Sequence, residues 1–264
     1  MENTANTRTP IIAANWKLNK TVGEATTLVS ALKNQVSDVT GVEVIVAPAF
    51  TVLSTVAKML EGSNIRLSAQ DVFWEDRGAF TGEISPTMLK DVGCDYVIIG
   101  HSERRQYFDE TNETVNKKVK AALAHSFTPI MCVGESLEDR EAERTDSVIQ
   151  DHIINGIAGL SEVALLSTVI AYEPVWAIGA GLTATPNQAQ EAHTFIRSLL
   201  SEKYSADVAA QVRIQYGGSV KPDNVSELMA QPDVDGALVG GASLEAESFA
   251  QIVKSASKYL TANT

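Results

Sequence analysis

Cysteine is nearly missing from this chain, which holds only Cys94 and Cys132 in 264 residues. Two thiols cannot staple a disulfide framework, and neither sits in a metal-ligand spacing, so a core must hold the fold and a reducing compartment fits. Basic residues are scarce beside acidic ones, 21 against 33, for a net charge of −12. That deficit argues against nucleic acid or an anionic membrane as partner, because both are bound through concentrated Lys and Arg. Any phosphate site must therefore be local. No apolar run reaches the length of about 18 residues that spans a bilayer, and the opening M-E-N-T-A-N-T-R-T-P has no apolar core of signal-peptide length. A cytoplasmic protein is expected. Nucleotide fingerprints are also missing, with no G-x-G-x-x-G after the first apolar run and no Walker A sequence.

What the chain does have is alternation. Short apolar runs at 11–14, 42–47, 65–69, 96–99, 128–133, 169–172, 212–216 and 236–239 read as strands. Helical patterns fall between them at 25–36, 51–60, 111–125, 187–204, 224–229 and 247–259. In 111–125, Val115, Val119 and Leu123 recur at helical spacing behind Thr111, a candidate N-cap. The strand runs are continuously apolar, as in a parallel sheet covered by helices. Eight units in 264 residues give about 33 residues each, the natural size of a strand-helix unit, and about 250 residues is typical of a closed (β/α)8 barrel. A TIM barrel of eight parallel strands is therefore expected, as one domain over 9–264 behind a frayed extension, 1–8. On pattern alone an open doubly wound sheet is the alternative. The longest stretch without secondary-structure signals is 71–84, and loops of that length are usually functional. Its Phe73, Trp74 and Phe80 make it a candidate interface, the plainer alternative being a loop folded back on its own barrel.

In a barrel, chemistry gathers where strands end at the carboxyl face. After the first run come Asn15 and Lys17, after the fourth His101, Ser102 and Glu103, and after the sixth Glu173. Pro174 biases Glu173 toward an extended conformation, so the acid closes its strand. The bland reading is a surface acid before an ordinary loop. Gly217-Gly218-Ser219 and Gly240-Gly241 follow the seventh and eighth runs, where many barrels hold a phosphate on backbone amides. Gly-Gly alone is a weak signal, since turns use it everywhere. Backbone capture of phosphate needs no metal, and no cofactor is expected. The other histidines, His125, His152 and His193, fall in helical patterns, where surface or core roles are the plain reading.

Together, Asn15-Trp16-Lys17, the run Gly100 to Arg105 (G-H-S-E-R-R), the run Ala171 to Gly179 (A-Y-E-P-V-W-A-I-G), Tyr216-Gly217-Gly218-Ser219-Val220 and the run Leu238 to Leu244 (L-V-G-G-A-S-L) resemble the triosephosphate isomerase family, in family order and from Pro10 onward. The resemblance implies a glycolytic and gluconeogenic isomerase that interconverts dihydroxyacetone phosphate and glyceraldehyde 3-phosphate through an enediol(ate). It implies Glu173 as the base, His101 as the electrophile, Lys17 facing the developing oxyanion and the phosphate, and Asn15 as a hydrogen-bonding neighbour. Gly179, Ser219, Gly240 and Gly241 would bind phosphate. Glu103 and Ser102 would support the site, and Glu135 would hold Trp176 within a lid, 174–184. It further implies a homodimer, with Thr81 at the tip of the long loop and Glu83 meeting Arg104 across the interface.

The chain departs from that pattern in places. Ala180 stands where the family usually has Thr, Leu182 where Lys is frequent, and Asp71 where Asn is common. These put lid kinetics and the start of the long loop in question. Two rivals share the Gly-Gly turns: a barrel acting on another sugar or indole phosphate, and a barrel that binds phosphorylated ligands or a protein without turnover. Neither needs Lys17, His101 and Glu173 together.

Overall fold

Each apolar run becomes a strand in the computed structural model, which describes residues 8–178 and 183–261. The strands are β1 (Ile11–Asn15), β2 (Glu43–Ala47), β3 (Ile65–Ala69), β4 (Tyr96–Ile99), β5 (Thr128–Val133), β6 (Val169–Tyr172), β7 (Ile214–Tyr216) and β8 (Gly236–Val239). All pair in parallel and in sequence order, and β1 meets both β2 and β8, with Ile11 opposite Glu43 and Gly236, so the barrel closes. A parallel neighbour can be reached only by a crossover, and helices supply it. They are α1 (Val22–Val36), α2 (Phe50–Leu60), α3 (Pro86–Val92), α4 (Ser102–Tyr107), α5 (Asn112–Ala124), α6 (Leu137–Glu141), α7 (Thr145–Gly156), α8 (Glu162–Leu166), α9 (Pro186–Lys203), α10 (Ala206–Gln211), α11 (Val225–Met229) and α12 (Ala246–Thr261). None of the described helices is long and apolar enough to cross a membrane. The fold is the (β/α)8 barrel that the alternation predicts.

Local chemistry starts and stops these elements. The Thr111 hydroxyl accepts from the Thr114 amide at 3.3 Å and opens α5. Thr185 and Gln188 cap each other reciprocally ahead of Pro186, opening α9. Ser85 accepts from the Met88 amide at 3.2 Å, and Gly93 ends α3 in the left-handed region at φ 94°. Within β1 the side chains alternate: Ile11 and Ala13 enter the barrel interior, while Ile12 and Ala14 pack outward under the helices. Each such buried Ile, Val or Leu contributes about 1.5–3 kcal/mol of transfer free energy.

Several boundaries differ from the sequence expectation. β7 begins at Ile214 instead of 212, because α10 runs to Gln211 and Val212 caps it. Between β5 and β6 stand α6, α7 and α8, which the apolar pattern does not single out. Residues 1–7 of the expected extension lie outside the described residues. Arg8, its last member, bonds to the Asp235 carboxylate at 2.6 Å and to the Ala210 and Pro232 carbonyls. Arg197 on α9 grips the same Asp235 at 3.0 Å and Asp233 at 2.7 Å, so a charged cluster ties the amino-terminal ends of β7 and β8 together.

The long loop contains no helix or strand between Ala69 and Pro86. Its base is closed by the Phe73 amide donating to the Ile84 carbonyl at 2.9 Å, and Phe73 stacks on Trp74 and Phe80 with ring centroids 4.1 and 4.5 Å away. The loop thus packs on itself and still leaves Phe80, Thr81 and Glu83 exposed.

Candidate active site

The carboxyl ends of β1, β4, β6, β7 and β8 bring the expected residues to one mouth. Asn15 is the last residue of β1, and its side-chain oxygen accepts from the Lys17 amide at 3.1 Å. That bond supports Lys17 at φ 53°, an uncommon backbone region for a residue with a side chain. Gln70 donates to the Lys17 carbonyl at 3.0 Å and to that of Ala47 at 2.9 Å, fixing the turn from outside. The ammonium of Lys17 then reaches Glu103 at 2.7 Å.

His101 caps α4. Its Nδ1 accepts from the Glu103 amide at 3.2 Å, which leaves Nε2 to carry the proton and meet Glu173 Oε1 at 2.9 Å. Only an unprotonated Nδ1 can accept, so this amide selects the neutral ring. Burial pulls the His101 pKa down, and direct contact with the Glu173 carboxylate pulls it up further than that, for a net rise.

Glu173 itself is almost wholly buried. Burial alone would raise its pKa, but the His101 contact, the Ser102 amide at 3.0 Å and the charge of Lys17 hold the carboxyl below its ordinary value. The Ser102 hydroxyl adds a donor at 3.3 Å. A buried acid is thus kept ionised by partners aimed at its two oxygens.

A cavity of about 710 Å³ opens beside this set, lined by Asn15, Lys17, His101, Ser219, Gly240 and Gly241. Ile178 and Leu238 give it an apolar side, and Glu103 also faces it. A Cβ on Gly240 would stand 3.5 Å from the Lys17 stem, so that backbone passes close to the cation, while Gly241 faces open space. Glu173 lines an adjoining cavity of about 590 Å³ instead, together with Ser102, Gly134, His152 and Trp176. Its carboxylate accepts from Ser102, and its other contact, His101, lines the larger cavity. Of the phosphate-binding residues implied by sequence, Gly179 lies outside the described residues, as do Ala180, Gly181 and Leu182 of the lid.

The described start of the segment expected to form the lid is anchored. Trp176 sits in a 3-10 turn, Val175–Ala177, and its indole donates to Glu135 at 2.8 Å. Glu135 is fully buried, also accepts the Tyr172 hydroxyl at 3.0 Å, and lies 3.4 Å from Arg140, whose guanidinium covers the Trp176 ring. A solvated turn acid would show none of this.

Arg104 points away from the mouth and meets its own chain's Asp71 at 3.0 Å and Glu110 at 3.4 Å. Asp71, flagged by sequence as a departure, is buried and pairs with Lys118 at 2.8 Å; Lys118 also contacts Glu110. Burial pushes the Asp71 pKa up against the attraction of Lys118. Sequence reading missed Lys118 and Glu110, since their partner lies far away in the chain. It also missed His152, which arrives from α7 on the outer layer.

The fold and the site together define a (β/α)8-barrel enzyme that carries a carboxylate, an imidazole and an ammonium beside a glycine-lined cavity. The family model described as triosephosphate isomerase matches residues 10–256. The chain is 60% identical over 247 residues to the triosephosphate isomerase of Endomicrobium trichonymphae, covering 94% of this chain and 98% of that protein. It is 59% identical over 246 residues to that of Geobacter metallireducens, covering 93% and 98%. With that of Geotalea uraniireducens it shares 58% over 247 residues, covering 94% and 98%. This chain belongs to the triosephosphate isomerase family, and it is an isomerase.

Proposed function

We propose that the protein interconverts dihydroxyacetone phosphate and D-glyceraldehyde 3-phosphate by proton transfer between adjacent carbons. The observation that carries this reading is the 2.9 Å contact between Glu173 and His101, at the edge of a cavity that also holds Lys17. Ser219, Gly240, Gly241 and the lid's Gly179 bind the phosphate. With the substrate seated, the Glu173 carboxylate leaves Ser102 and moves into the cavity, takes a proton from one carbon and returns it to the next. The low pKa enforced by His101 and Ser102 keeps it ionised and ready before that movement. His101 donates from Nε2 to the carbonyl oxygen as a neutral acid; this enzyme family is itself the standard example of that arrangement. Lys17 offsets the charge that grows on the same oxygen and on the phosphate, and Asn15 steadies the Lys17 turn. Closure of the lid that carries Trp176 excludes water from the enediolate. The chemistry asks for a base, an electrophile and an anion cradle, all supplied by the chain.

The reading also includes a cytoplasmic homodimer serving glycolysis and gluconeogenesis. It is supported by the exposed Leu18, Phe80, Met88, Tyr107 and Phe108, which a lone chain would leave in water. Thr81 and Glu83 stand on that face, and Glu83 approaches Arg104 of the second copy.

The test is a coupled assay with glyceraldehyde 3-phosphate, comparing the wild type with Glu173→Gln. Turnover should fall by at least the factor of about 10² to 10⁴ usual for a general base, while inorganic phosphate still inhibits residual activity. Unchanged turnover would remove Glu173 from the role.

A further inference from the structure

Two glycines let neighbouring chain pack directly against Glu173. A Cβ added at Gly134 would sit 1.8 Å from the Glu173 carbonyl oxygen, and one at Gly217 would sit 2.8 Å from its Cγ. The Glu173 amide donates to the Val133 carbonyl at 2.7 Å. The 133–134 backbone is therefore pressed against residue 173, and whatever places Gly134 also places the carboxylate. Gly134 has no side chain to anchor it. Its amide instead donates to Nδ1 of His152 at 3.3 Å. His152 belongs to α7 and lines the same cavity as Gly134, Glu173 and Trp176. The isomerisation proposed above makes no use of it.

We propose that His152 is a positioning residue, whose neutral imidazole accepts the Gly134 amide, sets the 133–134 backbone against Glu173 and so fixes where the carboxylate begins its movement. The inference rests on the reading of Glu173 as the base.

Two features make the imidazole suited to this. Its acceptor must stay free of a proton, and burial followed by the positive Arg105 pushes its pKa down to about 4, against Asp151, Asp139 and Glu173. The groups that face it are thus Arg105 from α4, Asp139 on α6, Asp151 on its own helix and Glu173 just after β6. Arg105 is itself held still, by the Gly100 carbonyl at 2.9 Å and Asn112 at 2.7 Å. A protonated ring would set an N–H against the Gly134 N–H, and the contact would open. Second, the support comes from a helix in the outer layer, so it does not depend on substrate or lid.

The experiment compares His152→Leu, which fills the space without an acceptor, with His152→Asn, whose side-chain oxygen stands near the place of Nδ1. Displacing a reacting group by a fraction of its range costs up to about 10²-fold, so His152→Leu should lower kcat by roughly 10- to 100-fold. Inhibition by inorganic phosphate should be unchanged, because the cradle after β7 and β8 is not touched. His152→Asn should restore most of kcat. Full kcat in His152→Leu, or an Asn variant as impaired as the Leu variant, overturns the proposal. Should His152→Leu not fold, His152→Ala replaces it; if neither folds and His152→Asn does, the imidazole is structural and the proposal falls. Wild type and Glu173→Gln run alongside, so an inactive wild type or an active Glu173→Gln marks failure of the base itself, separately from failure of His152.

Discussion

A side chain in this molecule takes its chemistry from what faces it more than from its own type. Three histidines make the point. His101 is held neutral at Nδ1 by an amide and points Nε2 at a carboxylate, while His193 is sealed between Tyr172 and Tyr216, and burial drives its pKa down to about 4. A histidine whose folded pKa lies below its ordinary value binds fewer protons folded than unfolded, so stability falls as pH drops through the window from 6.5 to about 4. The shift corresponds to a loss on the order of 3 kcal/mol for His193 across that window, and His152 adds a loss of the same sign. Glu173, with its pKa held below 4.5, gives up its share only at lower pH. Urea unfolding of wild type and His193→Gln at pH 7 and pH 5 should therefore show a smaller acid loss in the variant; equal losses would show that His193 does not titrate in this window. Lys17 is the complementary case. Its pair with Glu103 is partly exposed and worth at most about 1 kcal/mol of stability, so Lys17→Met should fold normally. It should still lose about 10² in kcat and bind inorganic phosphate more weakly, as read by competitive inhibition; normal phosphate affinity would contradict the cradle. Residues at strand ends were legible because a barrel concentrates chemistry there. The burial of Glu135 and the reach of His152 were not, since both depend on helices that pack from elsewhere in the chain.

At the scale of elements, continuous apolar runs bounded by turns announced all eight strands, because a parallel strand is covered on both faces and has no polar side to break the run. The five-residue helices α6 and α8 carry no such signal. α6 and α8 are started by Ser136 and Ser161, whose hydroxyls accept from Asp139 and Ala164 amides, and neither is long enough to show a helical period. α7 buries Ile149 and Ile153 among polar neighbours, too few apolar positions to stand out. Closure of the barrel was inferred from unit number, and its seam is visible only in three dimensions. Gly236 opens β8 opposite Ile11, where an added Cβ would approach the Ile11 carbonyl oxygen to 1.9 Å. Gly236→Ala should accordingly strain the β1–β8 seam and cost about 3 kcal/mol, measured by denaturant midpoint. A variant as stable as wild type would mean that the seam can spread.

For the whole molecule, the balance of charge and apolar surface bears on assembly. A net charge of −12 keeps copies apart unless a local face overrides it, and Phe80 of the 71–84 loop is one of the exposed large apolar side chains. Shortening the loop at 78–83 should yield monomers in light scattering with reduced turnover, because the loop packs on itself and its removal spares the barrel core. A fully active dimer would reject that interface. The aromatic composition of the loop was readable in sequence; the exposure of Met88, Tyr107 and Phe108 was not, because it depends on how α3 and the end of α4 pack. The charged cluster at the opposite end has a practical bearing on handling the protein. Arg8 is clamped to Asp235 where the strands begin, and the catalytic mouth lies where they end. A surface tether or fusion partner joined ahead of Arg8 would thus attach to the floor of the barrel, and an immobilised enzyme would present its open mouth to the flowing solution.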